Sequence, residues 1–334
     1  MKKSKSIVTF SLVLIFVMLA CNLPGITANS GEEPAAATVT NAPVSTSAPA
    51  TKVDEATATV VPSPTIELPT PTQVIAHSLV PSTSIKPGKL INDAVSVDTA
   101  VEGRAPYGDS YKANLFERPF LQDMTYVPDL DIVSYNLAYD EKFFYVSIEL
   151  VGANPNNQLG LDYAVELDLN ADGFGDYIII ARPPYNVNWS TDNVQVVQDT
   201  DHDTGGLSAE KSDAPLPGNG YDTVIFDGGR GENVADLDLA WVRVNAGPKA
   251  TVQFAFKRGL AGTRFLYGVL ADGGLKDIGS LDYVDRFTEE QAGSPEKNEK
   301  YYPLKALYAV DNMCREAFGF TGTNQEPQRC KATK

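Results

Sequence analysis

The chain has 334 residues, with 43 Asp+Glu against 27 Lys+Arg and a formal net charge of −16, a balance that argues against a nucleic-acid partner, since phosphate binding rests on clustered Lys and Arg. A hydrophobic content of 43% is enough to bury a core, while 22 Pro and 26 Gly speak against a mostly helical or coiled-coil chain. The length allows one large domain or two ordinary ones.

At the N-terminus, Lys2, Lys3 and Lys5 precede an almost unbroken apolar run from Ile7 to Leu19. At about 13 residues it is too short to span a bilayer and suits a signal peptide. The run ends in Met18-Leu19-Ala20-Cys21, which resembles the lipobox of bacterial lipoproteins. That resemblance implies that residues 1–20 are removed and that Cys21 carries a thioether-linked lipid and an amide-linked acyl chain. Such an anchor holds the protein to a membrane on the extracytoplasmic side of the cell envelope. The alternative is an ordinary secreted protein with a stray Cys. Loss of the three lysines leaves the mature chain still more acidic. Residues 21–76 follow as a stretch filled with Ala, Thr, Pro and Ser, without Phe, Trp or Tyr. It cannot bury enough apolar area to offset ordering entropy, and reads as a disordered stalk. As a flexible coil it reaches on the order of 40 Å.

From His77 onward aromatics appear, and residues 77–334 read as one domain of short strands separated by turn clusters. Segment 143–150 alternates Phe144, Val146, Ile148 and Leu150 on one face with Phe143, Tyr145, Ser147 and Glu149 on the other. Segment 163–170 sets Tyr163, Val165, Leu167 and Leu169 against Ala164, Glu166, Asp168 and Asn170. A period of two means half-buried antiparallel strands. Further strands are expected at Ile132–Ala138, Tyr177–Ala181, Val194–Gln198, Thr223–Phe226, Leu239–Val244, Thr251–Lys257 and Phe265–Leu270. With hardly any amphipathic helix between them, these define an all-β fold, an antiparallel β-sandwich. The tail 301–334 is expected to add one short helix around Ala306–Phe318. In an exported chain, where oxidation is favoured, Cys314 and Cys330 read as a disulfide closing that tail. A two-thiol metal site lacks a nearby histidine, since only His77 and His202 exist.

The run PDLDIVSYNLAYDEKFFYVSIELVG at 128–152, then YAVELDLNADGFGDYIIIA at 163–181 and AFKRGLAG at 255–262, resembles the DOMON-like sandwich group, which includes family 9 carbohydrate-binding modules. The resemblance implies a jelly-roll-like or DOMON-like sandwich and a ligand such as sugar or haem. The haem branch needs axial Met and His ligands, which two histidines without an obvious Met partner do not supply.

The stretch Asp168-Leu169-Asn170-Ala171-Asp172-Gly173-Phe174-Gly175-Asp176 matches the first part of a calcium loop, because a hard cation takes several oxygens from a tight turn. Asp168, Asn170, Asp172, the Phe174 carbonyl and Asp176 are the expected ligands. Position 12 is Ile179 and the chain returns to a strand, so the motif is no EF-hand. The bland alternative is an Asx-rich turn between strands. A second run spaces Asp199, Asp201 and Asp203 in the same way with Glu210 at position 12, but its glycine is displaced by one. The two loops form one site or two, depending on whether they lie at the same end of the sandwich.

Tyr145, with Trp189 from the loop Pro183–Trp189, offers candidate rings for stacking sugars, unless a loop or the tail covers them. Trp241 reads as core. There is no G-x-S-x-G, Walker loop or H-E-x-x-H. A glycosidase needs two carboxylates at set distances, and Glu166 and Asp168 share a strand face, but so acidic a chain makes such pairs by chance. The expectation is a surface-anchored, calcium-stabilised, non-catalytic binding lipoprotein for extracellular glycan or another envelope component. The alternatives are a structural envelope protein without a small ligand and a carbohydrate-active enzyme.

Overall fold

The computed structural model describes residues 75–106, 116–153, 160–204, 219–228, 235–273, 308–323, 325–327 and 329–330. Cys21, Glu210 and all but the last two residues of the expected stalk lie outside them.

The strands expected from alternation are present with nearly the expected bounds: β3 Ile132–Tyr139, β4 Phe143–Leu150, β5 Asp162–Asp168, β6 Tyr177–Ala181, β7 Val194–Gln198, β8 Thr223–Asp227, β9 Ala240–Asn245, β10 Thr251–Lys257 and β11 Phe265–Asp272. Short strands β1 Leu90–Asn92, β2 Glu117–Arg118, β12 Val310–Asn312 and β13 Glu316–Phe318 join them at the edges. All pair antiparallel, in a five-stranded sheet ordered β1-β3-β4-β10-β9 and an eight-stranded sheet ordered β2-β12-β11-β5-β6-β7-β8, with β13 also on β11. The one-turn helix α1, Arg258–Ala261, links β10 to β11.

The hairpin β3–β4 shows how sequence makes the fold. Asp140 closes the turn, its Oδ1 accepting from the backbone N–H groups of Lys142 at 2.7 Å and Phe143 at 2.8 Å, the local bonding that makes Asp a turn residue. Alternation then sends Phe144, Val146, Ile148 and Leu150 into the core between the sheets, where Tyr163, Val165, Leu167, Phe265 and Tyr267 arrive from the other side.

The opposite faces are not half-exposed as alternation alone predicts. Phe143 and Tyr145 are 1% and 3% exposed. With Ala138, Trp241 and Ala255 they form a separate cluster capped by Leu79, Ile85 and Trp189. The N-terminal segment is strapped over this face because Asp238 accepts from the Ser78 and Leu79 backbone N–H groups at 3.0 and 2.9 Å and from Ser78 Oγ at 2.8 Å, with His77 Nδ1 2.8 Å away. Trp241, expected in the core, is buried in this cluster, its ring 4.4 Å from that of His77. On the far side, Ala164, Ile178 and Ile180 pack under Phe116, Tyr221 and Val310.

The tail departs most from expectation. In place of a helix over Ala306–Phe318, residues from Val310 on form β12 and β13, both on β11. Every residue of β11 is buried, so its open edge demands backbone partners that a helix cannot supply, and this outweighs helix propensity. The disulfide Cys314–Cys330, with Cα atoms 4.9 Å apart, fastens the tail, as expected.

Candidate functional site

The two acidic loops lie side by side. The first leaves β5 at Asp168 and turns through Ala171 and Gly173, at φ of 61° and 98°, conformations that suit the glycine of an Asp-x-Asn-x-Asp-Gly run. The second leaves β7 at Asp199 and turns through His202, at φ 58°. They are stitched together by Gly175 N–H donating to the Thr204 carbonyl at 2.8 Å, Thr204 Oγ1 to the Gly175 carbonyl at 3.1 Å, and Asp199 N–H to the Asp176 carbonyl at 3.1 Å. The Phe174 and His202 rings meet edge-on at 6.4 Å.

Their side chains are arranged differently. Asp168, fully buried, accepts from Ala171 N–H at 2.6 Å on Oδ1 and from Gly173 N–H at 3.0 Å on Oδ2. Arg315 NH1 also donates to Oδ2 at 3.1 Å and to the Gly173 carbonyl at 2.9 Å. Within the loop, Asn170 Oδ1 accepts from Asp172 N–H, Asp172 Oδ1 from Phe174 N–H and Asp176 Oδ2 from Leu169 N–H. Asp168, Asp172 and Asp176 are not among the acidic groups that converge as a cluster in the described residues. The Arg315 guanidinium reaches the first carboxylate of the expected ligand set. It also takes Glu166 in a two-pronged ion pair, NH2 to Oε1 at 2.6 Å and Nε to Oε2 at 3.2 Å, and Tyr221 donates to the same Oε1 at 2.9 Å. Desolvation works against the buried Arg315 charge, but Glu166 and Asp168 hold its pKa well above the ordinary value. Burial pushes Asp168 up to about 6 against the pull of Arg315.

In the second loop, Asp199, Asp201 and Asp203 each bring a carboxylate oxygen within 4.8 Å of the other two. Asp199 shapes the turn, accepting from Asp201 and His202 N–H groups on Oδ1 and from Thr204 N–H and Oγ1 on Oδ2. Asp203 accepts from Asn219 and Gly220 N–H groups at 2.7 and 3.1 Å. Asp201 is the exposed member, and desolvation with the repulsion of Asp203 and Asp199 raises its pKa. Three hard oxygens on one turn suit a cation of the calcium class.

Of the expected sugar platform, Tyr145 is buried and Trp189 half-buried. Tyr145 accepts from Ser82 N–H at 3.0 Å and donates to Asp140 Oδ2 at 2.6 Å. Trp189 Nε1 donates to the Ser82 carbonyl at 2.9 Å while the Arg243 guanidinium lies 4.6 Å from its ring centre. The strap therefore closes over Tyr145 and ties the Nε1 edge of the half-buried Trp189, whose ring is stacked by Arg243. A recess beneath it, lined by Ile85, Asn136, Tyr145, Ser147 and Gln253, has no carboxylate in its lining.

Sequence reasoning missed Arg315, whose partners Glu166 and Asp168 are some 150 residues away. It also missed a convergence of the half-buried Asp93 with the buried Glu117 and Asp311 at the opposite edge of the eight-stranded sheet from β8. In their local sequence these acids look like ordinary loop and strand-end residues; the one hint is the acidic opening of the strand at Asp131-Ile132.

Fold and site together define an acidic antiparallel β-sandwich with paired Asx loops on its larger sheet. The chain matches no known family model, no curated protein and no solved structure. Among the described residues no helix is long and apolar enough to cross a membrane.

Proposed function

We propose that the protein is a lipid-anchored, calcium-stabilised, non-catalytic module displayed on the extracytoplasmic side of the cell envelope, where it binds an extracellular glycan or another envelope component. The observation that carries the calcium part is the convergence of Asp199, Asp201 and Asp203 in a turn braced by the Asp168–Asp176 loop. Carboxylates so close repel one another, and a divalent cation removes the repulsion. The lipobox-like Met18–Cys21 carries the anchoring part. Catalysis by Glu166 and Asp168 is disfavoured, because Arg315 ties both in a buried ion pair.

A second reading, a structural or assembly role without a small ligand, is favoured by the burial of Tyr145 and by the Ser82 and Arg243 contacts that already engage Trp189. Thermal unfolding in EDTA and then in excess Ca²⁺ tests the calcium assignment. Binding only to the native state at about 100-fold over the dissociation constant adds roughly 2.7 kcal/mol, and Asp201→Ala should diminish that gain. A calcium response unchanged by Asp201→Ala overturns the second loop as the site. Glycan screening in calcium buffer separates the two readings: saturable binding supports the first, and none on any envelope polysaccharide leaves the structural role. Incorporation of labelled palmitate that Cys21→Ser abolishes tests the anchor.

A further inference from the structure

At one edge of the sandwich, carboxylates from both sheets meet. Asp93 follows β1 and Asp131 precedes β3, the pair that forms one edge of the five-stranded sheet. Glu117 on β2 stands directly across from Asp311 on β12 at the edge of the eight-stranded sheet. Asp93, Glu117 and Asp311 each bring an oxygen to within 4.8 Å of the other two. Asp131 is joined to them through Ser96, whose N–H donates to Asp131 Oδ2 at 3.0 Å and whose hydroxyl donates to Glu117 Oε1. Glu117, Asp131 and Asp311 are fully buried, each with 0% exposure. Acids directly opposed on neighbouring strands repel, and burial makes that repulsion far more costly than at a surface.

A second observation concerns single atoms. Asp311 Oδ2 accepts from Ile132 N–H at 2.6 Å, across from one sheet to the other, and Asp131 Oδ2 accepts from Ser96 and from the Tyr126 hydroxyl. The remaining oxygens, Asp311 Oδ1 and Asp131 Oδ1, are sealed from solvent and accept no hydrogen bond. Buried polar atoms in native proteins nearly always have a partner, and carboxylate oxygens gathered from two sheets without one are ligand atoms in search of a positive charge.

We propose that Asp93, Glu117, Asp131 and Asp311 hold a hard divalent cation of the calcium class that ties the two sheets together at this edge. The donors are all carboxylates, and both histidines of the chain lie elsewhere, His77 on Asp238 and His202 in the second acidic loop, so the softer metals that prefer imidazole or thiolate are not served. Arg118, the other residue of β2, donates NH1 to the Glu117 carbonyl at 2.7 Å. Burial and the facing Glu117, Asp93 and Asp131 push Asp311 well above the usual carboxylate range, and burial lifts Asp131 to about 6. This site does not depend on the Asp199 loop: Glu117 and Asp311 lie on β2 and β12, Asp93 just after β1 and Asp131 just before β3, and all but the half-buried Asp93 are shielded from solvent.

The experiment uses the full-length chain in detergent, carrying Asp201→Ala to weaken the exposed loop, with Asp311→Asn or Asp131→Asn added. Bound calcium is measured after excess is removed, and melting temperature is read in EDTA and in Ca²⁺. The parent should retain one calcium per chain that Asp311→Asn loses. In EDTA, Asp311→Asn should melt at or above the parent, because one member of a repelling cluster is gone. In Ca²⁺ it should melt several degrees below. A purely structural acid would shift both melts alike. Equal bound calcium in parent and variant, no bound calcium in the parent, or the same melting shift in both media would each overturn the proposal. If Asp311→Asn does not fold, Asp131→Asn is read against the same outcomes.

Discussion

Replacing Arg315 with Met is the sharpest test of how this sandwich is held together. The guanidinium is 1% exposed and donates four hydrogen bonds, two to Glu166 and one each to Asp168 and the Gly173 carbonyl. Its removal leaves two buried carboxylates without their countercharge, a loss of about 3–5 kcal/mol when one partner of a buried pair is taken away. At roughly 2–4 °C per kcal/mol for a domain of this size, the melting temperature should fall by about 10 °C. The pH dependence has a definite sign. Asp168 is raised to about 6 in the folded protein even beside Arg315, so its contribution is most favourable at low pH and is lost as pH rises through that value. Without the guanidinium the folded pKa rises further, and the gap between variant and parent should widen from about pH 5 to about pH 8. Scanning calorimetry across that range reads both effects. The triple variant Glu166→Gln, Asp168→Asn, Arg315→Met removes the charges together and should recover much of the loss. A loss below about 1 kcal/mol at neutral pH for the single variant, or a triple variant no better than the single, would refute the charge-lock argument.

Reduction of Cys314–Cys330, or Cys330→Ser, frees a closed loop of 16 residues separation and should cost about 3 kcal/mol, read as a fall in melting temperature on adding reductant. Asp238→Ala removes the acceptor for Ser78 and Leu79 and the neighbour of His77. It should release the strap, seen as faster proteolysis near residues 77–85 and a red shift of Trp189 and Trp241 fluorescence. Burial raises the Asp238 pKa, but hydrogen bonds from Ser78 and His77 outweigh it and hold the carboxyl below its usual range. The strap's attachment is therefore retained above about pH 4 and lost as pH falls below it. Phe144→Ala empties a buried site where the ring lies 5.0 Å from Phe265, 4.9 Å from Phe318 and 5.6 Å from Phe256, and should cost about 3–5 kcal/mol by chemical denaturation.

The strands were legible because alternation is a local signal. Phe144, Val146, Ile148 and Leu150 carry their facing in their own spacing, and β3 to β11 appear nearly where that spacing puts them. What alternation cannot report is what covers the second face. Phe143 and Tyr145 look like a half-exposed aromatic face in sequence, yet Leu79 and Ile85 from a distant segment close over it, and the means of closure is Asp238. The same blindness hid the tail. Val310–Phe318 has no alternation long enough to name as strand, and its conformation is set by the edge of β11, residues 265–272.

The acidic loops divide along the same line. The spacing of Asp168, Asn170, Asp172 and Gly173 specified the turn, and the turn is there, with Gly173 at positive φ. Which charge Asp168 faces was decided by Arg315, which sits between the disulfide's Cys314 and β13, the strand that pairs with β11 beside β5. Because a guanidinium beside Asp168 and Glu166 already supplies positive charge there, the first loop has less need of a cation than the second, where no cationic partner is within hydrogen-bonding reach of Asp201 among the described residues. The stronger motif is thereby the weaker cation candidate. The edge acids Asp93, Glu117, Asp131 and Asp311 extend the argument, since they have no motif at all and come together only because β1 with β3 and β2 with β12 bring the edges of two sheets to one place.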